Sequence, residues 1–247
     1  RDLDFIASTY EVLPELRRQR RGMLEVEGLP HLKRVFFLGT DKHRGMYSLP
    51  ELFSLAGDVS DEEYESRKAS ISPYDVVNMQ YTSGTTGFPK GVMLTHAALC
   101  AQVDISASIF PVDGGDTFLS VLPLSHTYEC SIGMIYPFSM GARVVYLDRP
   151  PTASALMPAL RAVRPSVMLI VPLIIEKIYR HQVLAKFNSN GFWRTLYKVG
   201  FLRRYLHRVA GKKLLKLFGG RLRFLGIGGA KLDGGAEKFL LEAKVPY

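Results

Sequence analysis

Cysteine is nearly absent from this 247-residue sequence: Cys100 and Cys130 are the only two. Their separation rules out a metal knuckle or a Cys-x-x-Cys redox pair, and two thiols cannot make a disulfide framework. The expectation is a reducing compartment with both thiols buried and inert. Long apolar runs are missing too. The longest, Val167 to Ile175, is nine residues and contains Pro172, against roughly 20 for a membrane-spanning helix. There is no apolar signal core, no repeat at a fixed period and no low-complexity tract. Acidic residues are absent from one long stretch: Lys177 to Lys231 holds 14 Lys and Arg and no Asp or Glu. The formal charge of +9 is therefore a −5 body carrying one strongly basic segment. With no zinc-finger spacing, basic zipper or aromatic RNA-binding motif, nothing favours nucleic acid as a partner.

What is present is an ordinary globular composition, 47% hydrophobic and long enough to bury a core. The chain opens at Arg1 without Met, and Asp2 to Ile6 shows neither cap nor turn residues. It stops at Val245–Pro246–Tyr247 in a hydrophobic stretch. Both ends are those expected of a piece of a longer protein. Helical spacing covers Leu13–Gln19, Pro50–Ala56, Ser60–Ala69, Thr95–Phe110, His126–Ser139, Ser154–Val163, a stretch opened by Pro172, Phe192–Phe218 and a segment from Asp233. Strand patterns fall at Arg34–Leu38, Val76–Tyr81, Phe118–Leu122, Arg143–Leu147, Val167–Val171 and Leu222–Ile227. Strands alternating with helices predict an α/β fold with largely parallel sheets flanked by helices.

One segment carries chemistry in its order of residues: Tyr81–Thr–Ser–Gly–Thr–Thr–Gly–Phe–Pro–Lys–Gly91. It follows a predicted strand. Its glycines let backbone N–H groups approach a ligand, and successive N–H groups in such a turn make an anion-binding concavity. Thr82, Ser83, Thr85 and Thr86 add hydroxyl donors, and Lys90 adds a point charge. No acidic residue lies between Asp75 and Asp104 to repel a polyphosphate. The spacing is not that of a Walker A loop, since Lys90 is followed by Gly91.

Three further segments belong with it: Leu122–Pro–Leu–Ser–His–Thr–Tyr–Glu129, Val171–Pro–Leu–Ile–Ile–Glu–Lys–Ile–Tyr179 and Leu225–Gly–Ile–Gly–Gly–Ala–Lys–Leu232. Together they resemble the core motifs of the adenylate-forming superfamily, which comprises acyl-CoA synthetases, luciferases and adenylation domains. The second motif has the form seen in long-chain fatty-acid–CoA ligases. The resemblance implies that Thr82, Ser83, Gly84, Thr85, Thr86, Gly87 and Lys90 hold the ATP phosphates. It places His126 at the acyl and ATP site, and Lys90 and His126 as the catalytic pair. It lays Gly228, Gly229 and Ala230 against the adenine and the acyl pocket. The chain departs from the family at Leu173, where an Arg is usual, and at Lys231, where a Pro is usual. Glu176 and Lys177 read as a helix-surface pair.

The resemblance further implies that residues 1–247 are an incomplete large N-terminal, ATP- and acyl-binding domain. The small C-terminal domain with its catalytic Lys and the later Mg²⁺-holding Glu motif are not in this sequence, and no metal ligand is assigned within it. The implied reaction activates a fatty acid with ATP through an acyl-adenylate, with Mg²⁺, then forms a thioester with CoA in the cytoplasm. Two alternatives stand beside it: a non-catalytic nucleotide- or membrane-binding fragment, and an adenylating ligase that passes the acyl group to a carrier protein. In the basic segment, Trp193, Leu196, Val199, Leu202, Leu206 and Val209 recur at helical spacing, with Arg194, Lys198, Arg204 and Arg208 off that stripe. Three readings remain for 192–218: a solvated basic face over an ordinary core helix, contact with the inner face of a membrane, or attraction of polyanions such as the CoA phosphates or nucleic acid.

Overall fold

The computed structural model describes residues 4–82, 88–185 and 191–247, the side chains of 153, 193, 194 and 196 excepted. The chain forms two compact units, Arg1–Ile71 and Ser72–Tyr247.

In the first unit, helix α1 (Phe5–Val12) starts at Asp4, whose carboxylate accepts from the Ala7 N–H at 2.9 Å. The opening segment therefore does hold a cap. The helix expected at Leu13–Gln19 is instead a short 3₁₀ turn, Pro14–Arg17. Pro14 has no N–H to donate to an α-helical ladder, so α1 ends just before it. Strands β1 (Phe36–Phe37) and β2 (Tyr47–Ser48) pair in parallel. Helix α2 (Leu49–Ser54) is anchored by Glu51, which accepts from both the N–H and the hydroxyl of Ser48. Helix α3 (Asp61–Ala69) is capped by Ser60, as its sequence predicts. Leu16, Leu24 and Met46 form the small core.

The second unit holds the predicted motifs. Strands β3 (Val76–Thr82) and β4 (Lys90–Thr95) make an antiparallel hairpin, and α4 (His96–Ile109) follows with Thr95 as its cap. Strands β5 (Thr117–Ser120), β6 (Arg143–Tyr146), β7 (Val167–Ile170) and β8 (Phe224–Ile227) form a wholly parallel sheet in the order β6-β5-β7-β8. The sheet is buried on both faces, which is why β7 reads as a continuous apolar run. Phe118 and Val167 enter one core with Phe110 and Tyr136. Leu119, Met168 and Ile170 enter the other with Leu160, Ile175, Leu214, Phe239 and Leu240.

The crossover from β5 to β6 runs through a π-helical stretch, Glu129–Ile135, and helix α5 (Tyr136–Ser139), so the predicted helix there is wider than an α-helix over two turns. Its Ile132 and Tyr136 pack on the first face. Helix α6 (Ala153–Val163) and helix α7 (Pro172–Ile178), the latter opened by Pro172 as predicted, pack on the second. Connections leaving β5 and β7 thus go to opposite faces. Their carboxyl ends are a topological switch point, where open α/β sheets bind ligands.

The single helix expected over Phe192–Phe218 is two: α8 (Gly191–Lys198) and α9 (Gly200–Leu217), separated by the extended backbone of Val199. The buried line of α9 is also not the predicted apolar stripe. His207, Gly211 and Leu214 are buried, while Val209 is 39% exposed. Two local demands turn the helix this way. His207 lies between Glu242 and the Tyr197 hydroxyl. Gly211 faces Ala243 so closely that a Cβ would stand 2.7 Å from the Ala243 Cβ. Helix α10 (Gly234–Ala243), capped by Asp233, closes the unit.

Candidate functional site

The site is built from the hairpin and from the carboxyl ends of β5 and β8. Hairpin register pairs Tyr81 with Gly91 and Thr82 with Lys90. The two ends of the Ser/Thr/Gly loop are therefore held side by side, with an exposed hydroxyl and an exposed ammonium at its base. Ser83, Gly84, Thr85, Thr86 and Gly87, the remaining predicted phosphate ligands, lie outside the described residues. Strand β4 was not legible in the sequence, because Lys90–Gly–Val–Met–Leu–Thr95 reads as the tail of the loop. Its partner strand is what makes it extended.

After β5 the chain turns at Pro123, whose carbonyl accepts from the His126 N–H, and the helix begins as Cys130 N–H donates to the His126 carbonyl. His126 sits exposed on this turn. It lines a cleft of about 390 Å³ with Leu124 and Ser125 on one side and Asn78, Met79, Gln80 and Tyr81 of β3 on the other. The structure thus brings together two predicted motifs, the strand leading into the phosphate loop and the His126 turn. The Asn78 amide reaches the Cys130 sulfur at 3.7 Å across the same junction. Cys130 is buried as expected, but Cys100 is exposed on the outer side of α4.

The third motif meets the second through Tyr128. A Cβ on Gly226 would lie 2.7 Å from the Tyr128 hydroxyl, and one on Gly228 would lie 2.9 Å from its Cζ. These glycines are required because an aromatic ring lies flat against their backbone, a contact sequence reasoning did not foresee. Burial, with Glu129 adding to it, pushes the Tyr128 phenol up to about 12, so it stays protonated. Gly229 takes a left-handed φ of 89°, and Gly228 N–H donates to the Ile170 carbonyl of β7. Ala230 and Lys231 are exposed beyond it. Glu176 does not pair with Lys177: its carboxylate accepts from the Asp233 N–H at 3.0 Å and ties the glycine turn to α7. Lys177 is exposed on the surface of α7, as expected, and Glu176 is half-buried beside it.

Glu129 is a further residue the motif reading passed over. It is 1% exposed, its carboxyl lies where a Cβ on Gly133 would stand, and one of its oxygens has no partner. Burial raises it to about 6, partly offset by a hydrogen bond with Ser120. Among the described residues, no three His, Cys, Asp or Glu side chains converge on a metal position. The polar groups lining the cleft are the amides of Asn78 and Gln80, the hydroxyls of Tyr81 and Ser125 and the His126 imidazole, all able to donate to phosphate oxygens.

Comparison with known proteins gives the family and the fold. The family model described as AMP-binding enzyme matches residues 24–245. A putative acyl-CoA synthetase, YngI of Bacillus subtilis, is 37% identical over 134 residues, covering 54% of this chain and 24% of that protein. Long chain acyl-CoA synthetase 2 of Arabidopsis thaliana is 34% identical over 209 residues, covering 76% of this chain and 30% of that protein. The chain therefore spans less than a third of the length of these relatives. Two solved structures share the fold. One is the didomain of a carboxylic acid reductase from Segniliparus rugosus in complex with AMP, with a TM-score of 0.59, 22% identity and coverage of 81% and 27%. The other is the N-terminal domain of FACL13 from Mycobacterium tuberculosis, with a TM-score of 0.54, 18% identity and coverage of 96% and 47%. With the hairpin, the switch-point cleft and a family match over nearly all of its residues, the chain belongs to the AMP-binding enzyme family, whose matched relatives here are acyl-CoA synthetases.

Proposed function

We propose that the protein to which this chain belongs activates a fatty acid in two steps. The acid's carboxylate attacks the α-phosphorus of ATP, forming the acyl–phosphate bond as the bond to pyrophosphate breaks. The thiol of CoA then attacks the acyl carbon, the thioester forms and AMP leaves. Support comes chiefly from one observation: Asn78 to Tyr81 of β3, the strand that leads into the Thr/Gly/Lys loop, line the same cleft as His126.

The residues divide the work by charge. In this reading Thr82 and Lys90, paired across the hairpin, bind the β- and γ-phosphates together with Ser83 to Gly87. Their task is to neutralise the pyrophosphate as it departs, which electrostatic stabilisation does best when the donors are already in place. In this reading His126 serves as a donor to the charge that develops as the acyl carboxylate attacks the α-phosphorus. At the glycine turn of Gly228, Gly229 and Ala230, Tyr128 covers one side of Gly228, and the small residues Gly229 and Ala230 leave backbone open for a purine ring or an acyl chain. Mg²⁺, bound with the triphosphate, would help to neutralise its charge.

Exchange of labelled pyrophosphate into ATP by the full-length protein, screened over acids of increasing chain length, tests this reading. Fatty-acid-dependent exchange followed by thioester formation with free CoA is the expected result. Exchange without a CoA thioester, but with acylation of a carrier protein, would replace the second step. No exchange with any acid would leave a nucleotide-binding module and overturn the reading.

A further inference from the structure

The basic segment is not used by the adenylation site, and its geometry carries a separate conclusion. Helix α9 buries His207, Gly211 and Leu214 toward the protein, and His207 and the half-buried Arg203 both meet Glu242. On the opposite side, Phe201, Tyr205, Val209, Lys212 and Lys216 follow one another at three- or four-residue steps and so share the outward line of the helix. Phe201 is 67% exposed and Tyr205 65%. Arg204 and Arg208 flank that line on one side and Lys213 on the other. None of Arg204, Arg208, Lys212, Lys213 or Lys216 pairs with a carboxylate among the described residues. Beside the line lies an apolar groove of about 540 Å³, lined by Ile178, Val183, Leu206, Val209, Leu217 and Phe239, with Lys213 at its edge.

We propose that this outward face of α9 docks on an anionic lipid surface, with Phe201, Tyr205 and Val209 entering the headgroup layer and the surrounding Arg and Lys pairing with lipid phosphates. Charge selects the occupant. A second copy of the same face would set like charges against each other, since Lys177 to Lys231 contains no acid. A purely polyanionic partner leaves the exposed Phe201 and Tyr205 without a role, whereas an interface rewards rings and cations on one helix face. The inference needs nothing from the adenylation reading.

The test uses the full-length protein and vesicles of phosphatidylcholine alone or with about one third phosphatidylglycerol. The parent protein should sediment only with the anionic vesicles, and less so as salt rises. Arg208→Glu/Lys212→Glu/Lys216→Glu should weaken that binding on the order of a hundredfold. Phe201→Ser/Tyr205→Ser should weaken it at least about tenfold. A control of equal charge change in the other unit, Arg18→Glu/Arg20→Glu/Arg44→Glu, should bind like the parent. Thermal melting checks that each variant is folded, and the parent's lipid and salt dependence decides if one is not. No binding by the parent, equal loss in the control, or full binding by the Phe201/Tyr205 variant would each overturn the proposal; the last would mark the face as a general polyanion site.

Discussion

Replacing Gly228 by Ala tests the contact that joins the second and third motifs. The added methyl would stand 2.9 Å from Cζ of Tyr128 and 3.1 Å from Cε1 and Cε2, well inside the roughly 3.5–4.0 Å at which carbon atoms rest. The ring cannot simply retreat, because its hydroxyl already occupies the space a side chain on Gly226 would need. Overpacking of this kind costs about 1–3 kcal/mol. The entropy that Ala removes from the unfolded chain returns only about 0.4–1 kcal/mol, so the substitution should destabilise by about 1–2 kcal/mol. Urea unfolding of the full-length protein measures this, alone and in a Tyr128→Ala background. With the ring gone the methyl has room and only the entropic gain should remain, giving a coupling energy of about 1–3 kcal/mol. A neutral Gly228→Ala, or the same penalty with and without Tyr128, would refute the reasoning.

Two further predictions concern charge. Asp116 is held at about 2 chiefly by Arg223, with Ser166 and the Asp113 N–H also donating to its carboxylate. A depressed carboxyl stabilises the fold above its unfolded value of 3.8 and loses that contribution as pH falls toward 2. Because Arg223 is 44% exposed, the loss on Asp116→Asn should be at most about 2 kcal/mol at neutral pH, and the acid limb of the melting curve should flatten below about pH 4. Glu129 has the opposite sign: burial raises it from 4.5 to about 6. Its ionisation should therefore cost stability as pH rises through that window, by up to about 2 kcal/mol. Glu129→Gln should abolish that decline and melt above the parent at pH 8; a variant that melts below the parent there would contradict it.

Where the sequence was informative, local chemistry settled the outcome. Ser60, Thr95 and Asp233 cap the helices they precede, Pro172 opens α7, and Val167–Ile170 is the doubly buried central strand its apolar run suggests. The motif residues were legible by type and order, but their meeting was not. That His126 faces β3, and that Tyr128 lies on Gly226 and Gly228, depends on which crossovers leave the sheet to which face. No window of sequence carries that information. Misreadings share a cause as well. Strand β4 exists because β3 is there to pair with it. Helix α9 is rotated away from its apolar stripe because His207 and Gly211 have partners on α10, Glu242 and Ala243.

The central claim is that the loop between β3 and β4 holds the phosphates of ATP during activation of an acid. Pyrophosphate exchange by Lys90→Ala in the full-length protein measures it most directly, with Lys68→Ala, an exposed lysine on α3, as the control. Removing a charge aimed at the departing pyrophosphate should lower acid-dependent exchange by at least about a hundredfold, while Lys68→Ala exchanges at the parent's rate. Exchange by Lys90→Ala at the parent's rate would contradict the account.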